Sequence, residues 1–199
     1  MKRFSEYVSE FGGSLIGALV SLSVAGAPAY AQDARTEPSH HGSAGGGRPS
    51  GALVEIVRES TERFRDVRVA EAEGYSLQFG CVSGPDAGAM GMHFVNFPLV
   101  ADGEIDATKP EIVIYEPLPG GRLRLIGADY LVLADQWNKT HSGAPELMGQ
   151  LFHLFEAPNR FGLPAFYTLH VWAWKENPTG TFVNWHSNVS CEAFSGQGQ

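Results

Sequence analysis

The segment FYTLHVWAW, residues 166–174, alternates with the period of two that is typical of a β-strand. Its two predicted faces carry Phe166, Thr168, His170, Trp172 and Trp174 on one side and Tyr167, Leu169, Val171 and Ala173 on the other. Because both faces are largely apolar, we expect a strand over Tyr167–Trp174 that lies inside a sheet and is covered on both sides. A titratable ring such as that of His170 is unusual in this position.

The same alternation predicts six further strands: Tyr75–Phe79, Met92–Asn96, Ile112–Tyr115, Leu123–Ala134, Leu151–Phe155 and a short Thr181–Trp185. Turn clusters rich in Gly, Pro, Asp and Asn lie between them, and no helical crossover does. Short connections of this kind favour antiparallel pairing. The sequence therefore predicts an α+β, mainly β domain built on a strongly curved antiparallel sheet or a small barrel.

Before the first predicted strand, the apolar period changes to that of a helix. From Ala52 onward Leu53, Val57, Ser60, Phe64 and Val67 recur at three- and four-residue steps and form one stripe that is apolar except for Ser60, with charged residues on the other sides. We expect one N-terminal amphipathic helix of about five turns, with Ser50 as its N-cap and Gly74 as its stop. It would pack one stripe on the sheet and close one end of it.

Residues 1–31 have the pattern of a secretory signal peptide. A basic start precedes the uncharged apolar stretch Gly12–Gly26, and Ala29-Tyr30-Ala31 supplies a small-x-small pattern before cleavage at Gln32. The apolar stretch of about 15 residues is shorter than the roughly 20 that a spanning helix needs. This favours export to the periplasm or the exterior over the alternative, a membrane anchor.

Residues 32–50 are rich in Gly, Ser, Pro and His and contain no apolar residue larger than Ala. Such a segment cannot bury enough surface to offset its ordering entropy, so we predict a disordered linker. Residues 51–199 then form a single α+β domain, which is long enough to enclose a core.

The balance of charge narrows the set of partners. With 22 acidic and 14 basic residues, the chain has a formal net charge of −8. This argues against nucleic acid and against anionic membrane surfaces. We expect a small-molecule ligand, and no stable membrane insertion after the signal peptide is cleaved.

The only two cysteines, Cys81 and Cys191, lie near opposite ends of the predicted folded region. In an exported protein a sparse, even number of cysteines predicts one disulfide. A pair of metal-binding thiolates is the alternative that the sequence leaves open. A catalytic cysteine is disfavoured because oxidation would disable it.

Asp129 interrupts an apolar strand face. In the predicted strand Leu123–Ala134 it shares a face with Leu123, Leu125, Gly127, Leu131 and Leu133. An unpaired buried carboxylate is strongly unfavourable, so Asp129 needs an arginine, a histidine or a metal ion as its partner. The alternative is a bulge that turns Asp129 out to solvent.

Three histidines also lie within apolar stretches: His93, His153 and His170. Neutral imidazoles and a carboxylate are the usual ligands of zinc, iron, manganese or copper, and a curved sheet can bring such residues to one interior point. We therefore predict that His93, Asp129, His153 and His170 bind one divalent first-row metal ion. No local motif such as HExxH supports this set, so a buried polar network and an acid–base pocket remain alternatives.

Further side chains have predicted roles around this centre. Phe166, Trp172 and Trp174 would line a cavity and contact an apolar or aromatic ligand, unless they are only core residues. Glu116, at a strand end before Pro117, is a candidate general base, with a solvated turn residue as the alternative.

Four blocks of sequence carry a resemblance to a known family. They are Phe79-Gly80-Cys81-Val82, Gly88-Ala89-Met90-Gly91-Met92-His93-Phe94-Val95-Asn96, Tyr115-Glu116-Pro117, and His170-Val171-Trp172-Ala173-Trp174 followed by Asn177-Pro178-Thr179-Gly180. Together they resemble a family of exported bacterial proteins of unassigned function, over roughly residues 61–191. The chain departs from the family pattern where it has Phe94 in place of a Tyr, Asp129 in place of a Glu, and His186-Ser187 in place of Asn-Pro. The resemblance implies an exported bacterial protein and no particular reaction.

These features predict an exported metal-dependent enzyme that acts on a small, partly apolar molecule through a mononuclear site ligated by histidine and aspartate. Open coordination positions would take water or substrate. Two alternatives stay open. One is a non-catalytic exported protein that binds a metal or an apolar ligand, and the other is a structural envelope protein whose histidines only support the fold.

Overall fold

The structure is a computed structural model that describes residues 49–196. The predicted signal peptide, residues 1–31, lies outside the described residues. So does the predicted linker, residues 32–50, except for its last two residues, which begin a helix.

Most of the described chain forms one antiparallel sheet. Its strands are β1 (Ser76–Ser83), β2 (Ala89–Val95), β3 (Ile112–Leu118), β4 (Arg122–Leu133), β7 (His153–Phe155) and β8 (Phe166–Val171). The strand order is β1-β2-β3-β4-β8-β7, and the sheet curls into a half-barrel whose end strands, β1 and β7, are not paired with each other in the described residues. A separate hairpin consists of β5 (Glu146–Leu147) and β6 (Gln150–Leu151). The predicted curved antiparallel sheet is confirmed, in its open form.

The predicted N-terminal helix is divided into three pieces. They are α1 (Pro49–Thr61), a 3₁₀ helix (Glu62–Arg65) and α2 (Val67–Ala72). The break lies at Asp66, whose backbone is extended and whose side chain accepts a hydrogen bond from the backbone N–H of Arg68. Aspartate favours such caps because its carboxylate satisfies an N–H group that the helix leaves unpaired. Ser50 lies inside α1 rather than at its N-cap, so that part of the prediction is wrong.

The helical pieces lie across one face of the sheet, which we call the helix face. Leu53 and Val57 of α1 pack against Tyr130 and Leu169 in one fully buried cluster. A second buried cluster includes Phe64 of the 3₁₀ helix together with Phe94 and Tyr115 of the sheet. The Tyr115 hydroxyl also donates a 2.6 Å hydrogen bond to the carbonyl of Phe64. The expectation that the helix packs its apolar stripe on the sheet is therefore confirmed, and the stripe covers a face of the sheet.

A bulge in β4 corrects one predicted strand face. Ile114 of β3 pairs with Gly127, but the next residue, Tyr115, pairs with Leu125, so Ile126 is an extra residue. Leu125 consequently packs with Tyr115 on the helix face. The predicted face is kept only beyond the bulge, from Gly127 through Asp129 to Leu133.

The chain after β8 contains no further strand within the described residues. The predicted strand Thr181–Trp185 is absent, and the neighbouring His186 forms only an isolated bridge with Ala89. Cys81 and Cys191 form the predicted disulfide, with their Cα atoms 5.7 Å apart, which ties the end of this segment to β1. The two remaining helices, α3 (Phe97–Asp102) and α4 (Ala134–Trp137), are short. Between residues 49 and 196, no helix has the length and apolar character needed to cross a bilayer.

Candidate metal centre

Three of the predicted ligands come from three strands and meet on the face opposite the helices. His93 lies on β2, Asp129 on β4 and His170 on β8. Asp129 and His170 are directly opposite each other in the β4–β8 ladder, so their side chains share a face. His93 reaches the same face from across β3, where its partner Ile114 is followed in β4 by Gly127. A Cβ atom at Gly127 would lie 2.6 Å from the carbonyl oxygen of Val171, so only glycine fits there.

The three side chains are close enough to share one ion. The two Nε2 atoms of His93 and His170 are 3.5 Å apart, and His170 Nδ1 lies 3.5 Å from Asp129 Oδ1. One ligand atom from each residue falls within 4.8 Å of the others. The two 3.5 Å distances involve different nitrogens of His170, so a shared ion would bind one of them and at least one side chain would have to move, because the ligand atoms of a tetrahedral ion lie about 3.4 Å apart. The described residues therefore contain a buried His/Asp/His group that could hold a metal ion.

The burial of the three side chains supports this interpretation. The residues are only 5, 2 and 3 % exposed in the order His93, Asp129, His170. Among the described residues, four buried polar atoms make no close hydrogen bond: His93 Nδ1, His170 Nδ1, Asn184 Oδ1 and His186 Nε2, although Asn184 lies within hydrogen-bonding reach of His170. A buried carboxylate beside two imidazoles that have free nitrogen lone pairs is a donor set that a metal ion can bind.

Burial also sets the protonation states that a metal requires. It lowers the pKa of His93 to about 4, with a further decrease from the nearby His170, and it lowers the pKa of His170 to about 3. Burial raises the pKa of Asp129 to about 6, against the opposing effects of His93 and a hydrogen bond from Thr168. At pH 7 both imidazoles are therefore neutral and the carboxylate is mostly ionised, which are the states that bind metal ions.

Thr168 positions the carboxylate. Its hydroxyl donates a hydrogen bond to Asp129 Oδ1, and it lies on β8 two residues before His170, on the same face. Such a bond to a ligating carboxylate fixes its orientation. The alternation of β8 placed Thr168 beside His170 in the sequence, but no role was predicted for it.

A small apolar cavity adjoins the group. It has a volume of about 30 Å³, and its lining consists of the three ligands, Thr168 and apolar side chains: Phe79, Met90, Ile112, Leu131, Phe155, Phe161, Leu163 and Phe166. Phe79 has a backbone φ of +62° within a bulge of β1, a strained conformation for a bulky residue. Its ring packs 5.3 Å from that of Phe161, centre to centre. Neither Phe79 nor Phe161 had been predicted to lie at the site.

His153, the fourth predicted ligand, does not join the group. It begins β7, a strand of three residues at the edge of the sheet, and its side chain is exposed. It is directly opposite Thr168, so it lies on the expected face, but an edge strand has a neighbour on one side only and leaves the ring in solvent. The ligand set is therefore corrected from four residues to three.

Two of the three predicted ligand-binding aromatic residues differ from expectation. Phe166 lines the cavity as predicted, whereas Trp172 contacts His170 from outside it, with ring centres 5.6 Å apart. Trp174 lies on the helix face, because β8 ends at Val171 and the alternation stops there. Its indole N–H donates a 3.0 Å hydrogen bond to Thr61 of α1.

Glu116, the predicted general base, is neither free nor solvated. Its side chain is buried and ion-paired with Arg124 and with Lys175, which lies 2.7 Å away. Burial raises its pKa, but the hydrogen bonds from Lys175 and Arg124 outweigh this effect, so the pKa is lowered overall. Both carboxylate oxygens are occupied by cations, and Glu116 does not line the cavity. The geometry supports a structural ion-pair network and not a base.

Comparison with known proteins adds no family. No family model, curated protein or solved structure matches the chain. The resemblance to exported bacterial proteins stays a prediction, and any function has to be argued from the site itself.

Proposed function

We propose that the protein is an exported metal-dependent enzyme that binds one divalent first-row ion through His93, Asp129 and His170. Its substrate would be a small, partly apolar molecule. The observation that carries the proposal is the convergence of three buried donors within 4.8 Å beside a cavity.

The number of ligands favours an enzyme over a storage or structural site. Structural zinc sites are closed by four protein ligands, whereas catalytic sites use three and leave a position for water or substrate. Here three ligands line a cavity, so a free coordination position of the ion would face that cavity. A bound ion would supply Lewis acidity or an activated water molecule.

The donor types narrow the identity of the ion. Two imidazoles and one carboxylate suit zinc, manganese, copper and, in the arrangement with open positions, iron(II). Both cysteines are in the disulfide, so no thiolate competes for a softer metal.

One observation favours the second candidate, a non-catalytic binding protein. Apart from the three ligands, Thr168 is the only polar side chain of the described residues that lines the cavity, and its hydroxyl donates a hydrogen bond to Asp129. No separate acid or base is therefore at hand for proton transfer. A protein that only binds a metal or an apolar ligand needs none, and such a protein would hold its ligand without changing it.

Two features support export. The disulfide between Cys81 and Cys191 closes a sequence separation of 110 residues, and disulfides of this kind persist in oxidising compartments. The signal-peptide pattern of residues 1–31 points the same way.

Elemental analysis tests the proposal. The protein would be prepared without a polyhistidine tag and with His40 and His41 replaced by Ala, so that these adjacent residues cannot retain metal. We expect close to one equivalent of metal per chain, and loss of most of it in His170→Ala. His153→Ala is the matched control, because it removes an exposed imidazole outside the group and should leave the metal content unchanged. A metal-free protein after loading with iron(II) and zinc would reject the proposal and favour the structural alternative.

A further inference from the structure

Trp172 connects the metal centre to the segment that follows β8. Its ring lies beside that of His170, with the ring centres 5.6 Å apart. Its backbone N–H donates a 3.0 Å hydrogen bond to the carbonyl of Thr181, and its indole N–H donates one of 2.7 Å to the carbonyl of Val183. Residues 181–183 lie outside the sheet, but these two bonds fix their position relative to His170.

Asn184 is the next residue of this segment. The carbonyl that follows it, that of Trp185, accepts a 2.9 Å hydrogen bond from the side chain of Asn177, so the backbone is held on both sides of Asn184. The Oδ1 atom of Asn184 is buried and makes no close hydrogen bond within the described residues, and the side chain lies within hydrogen-bonding reach of His170. Because an amide oxygen is an acceptor only, it can pair only with a ring nitrogen that carries a proton.

The two ring nitrogens of His170 have different surroundings. Nε2 lies 3.5 Å from Nε2 of His93, which is close to the separation of about 3.4 Å between the ligand atoms of a tetrahedral ion. Nδ1 lies 3.5 Å from Oδ1 of Asp129 and, like Oδ1 of Asn184, is buried without a close hydrogen bond in the described part of the chain. If Nδ1 carries the proton, the donor and the amide oxygen satisfy each other, and the lone pair is on Nε2, which faces His93.

The effect of Asn184 on His170 has the sign expected of an acceptor. Burial lowers the pKa of His170, and the contact with Asn184 acts in the opposite direction and raises it. A group that accepts a hydrogen bond from the protonated ring has this effect.

We infer that Asn184 is a positioning residue of the metal centre, whose amide oxygen accepts the Nδ1–H of His170 and so presents Nε2 to the ion. Histidines that bind metals almost always donate their other ring N–H to an oxygen, which fixes the tautomer and the orientation of the ring. The inference rests on the proposed metal site and deepens it, because it selects one of two nitrogens and gives a role to a residue outside the ligand set. The Asp129 carboxylate, oriented by Thr168, is then left to bind the ion.

Substitutions of Asn184 test the role of its oxygen. Asn184→Leu keeps the approximate shape of the side chain and removes the acceptor, so zinc affinity should fall by about 10–100-fold in a competition titration with a chelator. Asn184→Asp keeps an oxygen at this position and should restore most of the affinity, and Asn184→Ala replaces the leucine variant if that variant does not fold. Asn188→Leu is the matched control, because Asn188 belongs to the same segment but is exposed, and it should bind zinc like the wild type.

Nitrogen-15 spectra of the labelled histidines identify the atom that carries the proton. Long-range proton–nitrogen correlations of the zinc-loaded wild type should place the proton of His170 on Nδ1 and zinc on Nε2. The metal-free protein should contain the same tautomer, since the hydrogen bond at one ring nitrogen decides which one is protonated. Asn184→Leu should lose this tautomer as the major form, a change that is not expected if Asn184 only packs against its neighbours.

The outcomes separate the inference from the proposed function. Zinc bound through Nδ1 of His170, or equal zinc affinity in the wild type and in Asn184→Leu, would overturn the inference and leave the metal site standing. A wild-type protein that takes up no zinc would reject the proposed function, and with it any role of Asn184 at a metal. A metal-free protein in which Nε2 of His170 carries the proton would show that Asn184 is not its acceptor, whatever the metal content.

Discussion

Asp129 and His170 face each other directly across the β4–β8 ladder, with carboxylate Oδ1 3.5 Å from imidazole Nδ1 and both side chains 3 % exposed. Because burial lowers the pKa of His170 to about 3, the imidazole is neutral at pH 7 and cannot neutralise the carboxylate. Among the described residues no lysine or arginine forms an ion pair with Asp129, and Arg124 and Lys175 are paired with Glu116. Within this part of the chain Asp129 is therefore a buried carboxylate without a cationic partner, which a metal ion would provide.

Asp129→Asn distinguishes the destabilisation of the fold by this buried carboxylate from its contribution to metal binding. Since burial raises the pKa of Asp129 to about 6, the ionised form destabilises the metal-free fold above that pH. We expect the variant to unfold at a higher urea concentration at pH 8 while its zinc affinity falls by at least about tenfold. Chemical denaturation and a competition titration with a zinc chelator measure the two effects. Equal zinc affinity in variant and wild type would contradict ligation by Asp129, and Asp135→Asn, at an exposed position of α4, is the control.

Thr168 should act as a positioning residue. Thr168→Val keeps the shape of the side chain but removes the hydroxyl that donates to Asp129 Oδ1. We expect zinc affinity to fall by about 10–100-fold, as for other partners of metal ligands. Thr168→Ser restores the hydroxyl and should restore most of the affinity. If Val and Ser bind zinc equally well, the loss of the hydrogen bond does not matter and the assignment is wrong.

The buried carboxyl group of Glu111 should make the stability of the metal-free protein depend on pH. It is 2 % exposed, accepts a 3.0 Å hydrogen bond from the Leu131 backbone N–H, and burial raises its pKa to about 8, with smaller increases from Asp129 and Asp102. Because the folded state holds this proton more tightly than the unfolded state, stability falls as the pH rises from about 4.5 towards 8.

Between pH 7 and 8 the folded state holds almost no proton on His93, His170 or Asp129, while the unfolded histidines, with ordinary pKa values near 6.5, lose their remaining protons and offset the loss by only about 0.3 kcal/mol. We expect a loss of about 1 kcal/mol over this interval, measured by urea denaturation with metal chelated. Glu111→Gln keeps an acceptor for Leu131 and should make the profile flat. A wild-type profile that is already flat would show that Glu111 ionises normally.

Loss of the disulfide should lower the free energy of unfolding without changing the metal content of the folded protein. Replacement of both Cys81 and Cys191 by Ser opens a sequence separation of 110 residues. The chain-entropy model predicts a loss of up to about 5 kcal/mol in the free energy of unfolding. The three ligands lie on β2, β4 and β8, so the folded fraction should keep its metal. Loss of metal from a variant that is still folded would reveal a coupling that the structure does not show.

The fold was predictable where the period of the apolar residues is long and regular. The alternation of Leu123–Ala134 and Tyr167–Trp174 gave central strands on both sides of the Asp129–His170 pair. The break at Asp66 and the bulge at Ile126 were not predictable, because each depends on one residue whose backbone departs from its neighbours. The bulge changes which face Leu125 joins, and single-residue shifts of this kind leave the composition of a strand unchanged.

The type of site was predictable from the sequence, but the complete set of residues that form it was not. A charged or titratable residue on an apolar strand face pointed to His93, Asp129 and His170. The same rule included His153, because sequence does not show which strand is at the edge of a sheet. It missed Phe79 and Phe161, since a ring that a strained bulge or a loop directs towards a cavity has no periodic signal. Glu116 failed as a base because its two cations come from β4 and from the segment after β8.

X-ray absorption spectroscopy of the zinc-loaded protein tests the three-residue centre most directly. We predict two imidazole ligands together with light oxygen or nitrogen donors at about 2.0–2.1 Å, and no sulfur. His93→Ala should reduce the imidazole count to one, while His153→Ala should leave the spectrum unchanged. A spectrum with three imidazoles, or one that changes in His153→Ala, would contradict a centre made of His93, Asp129 and His170.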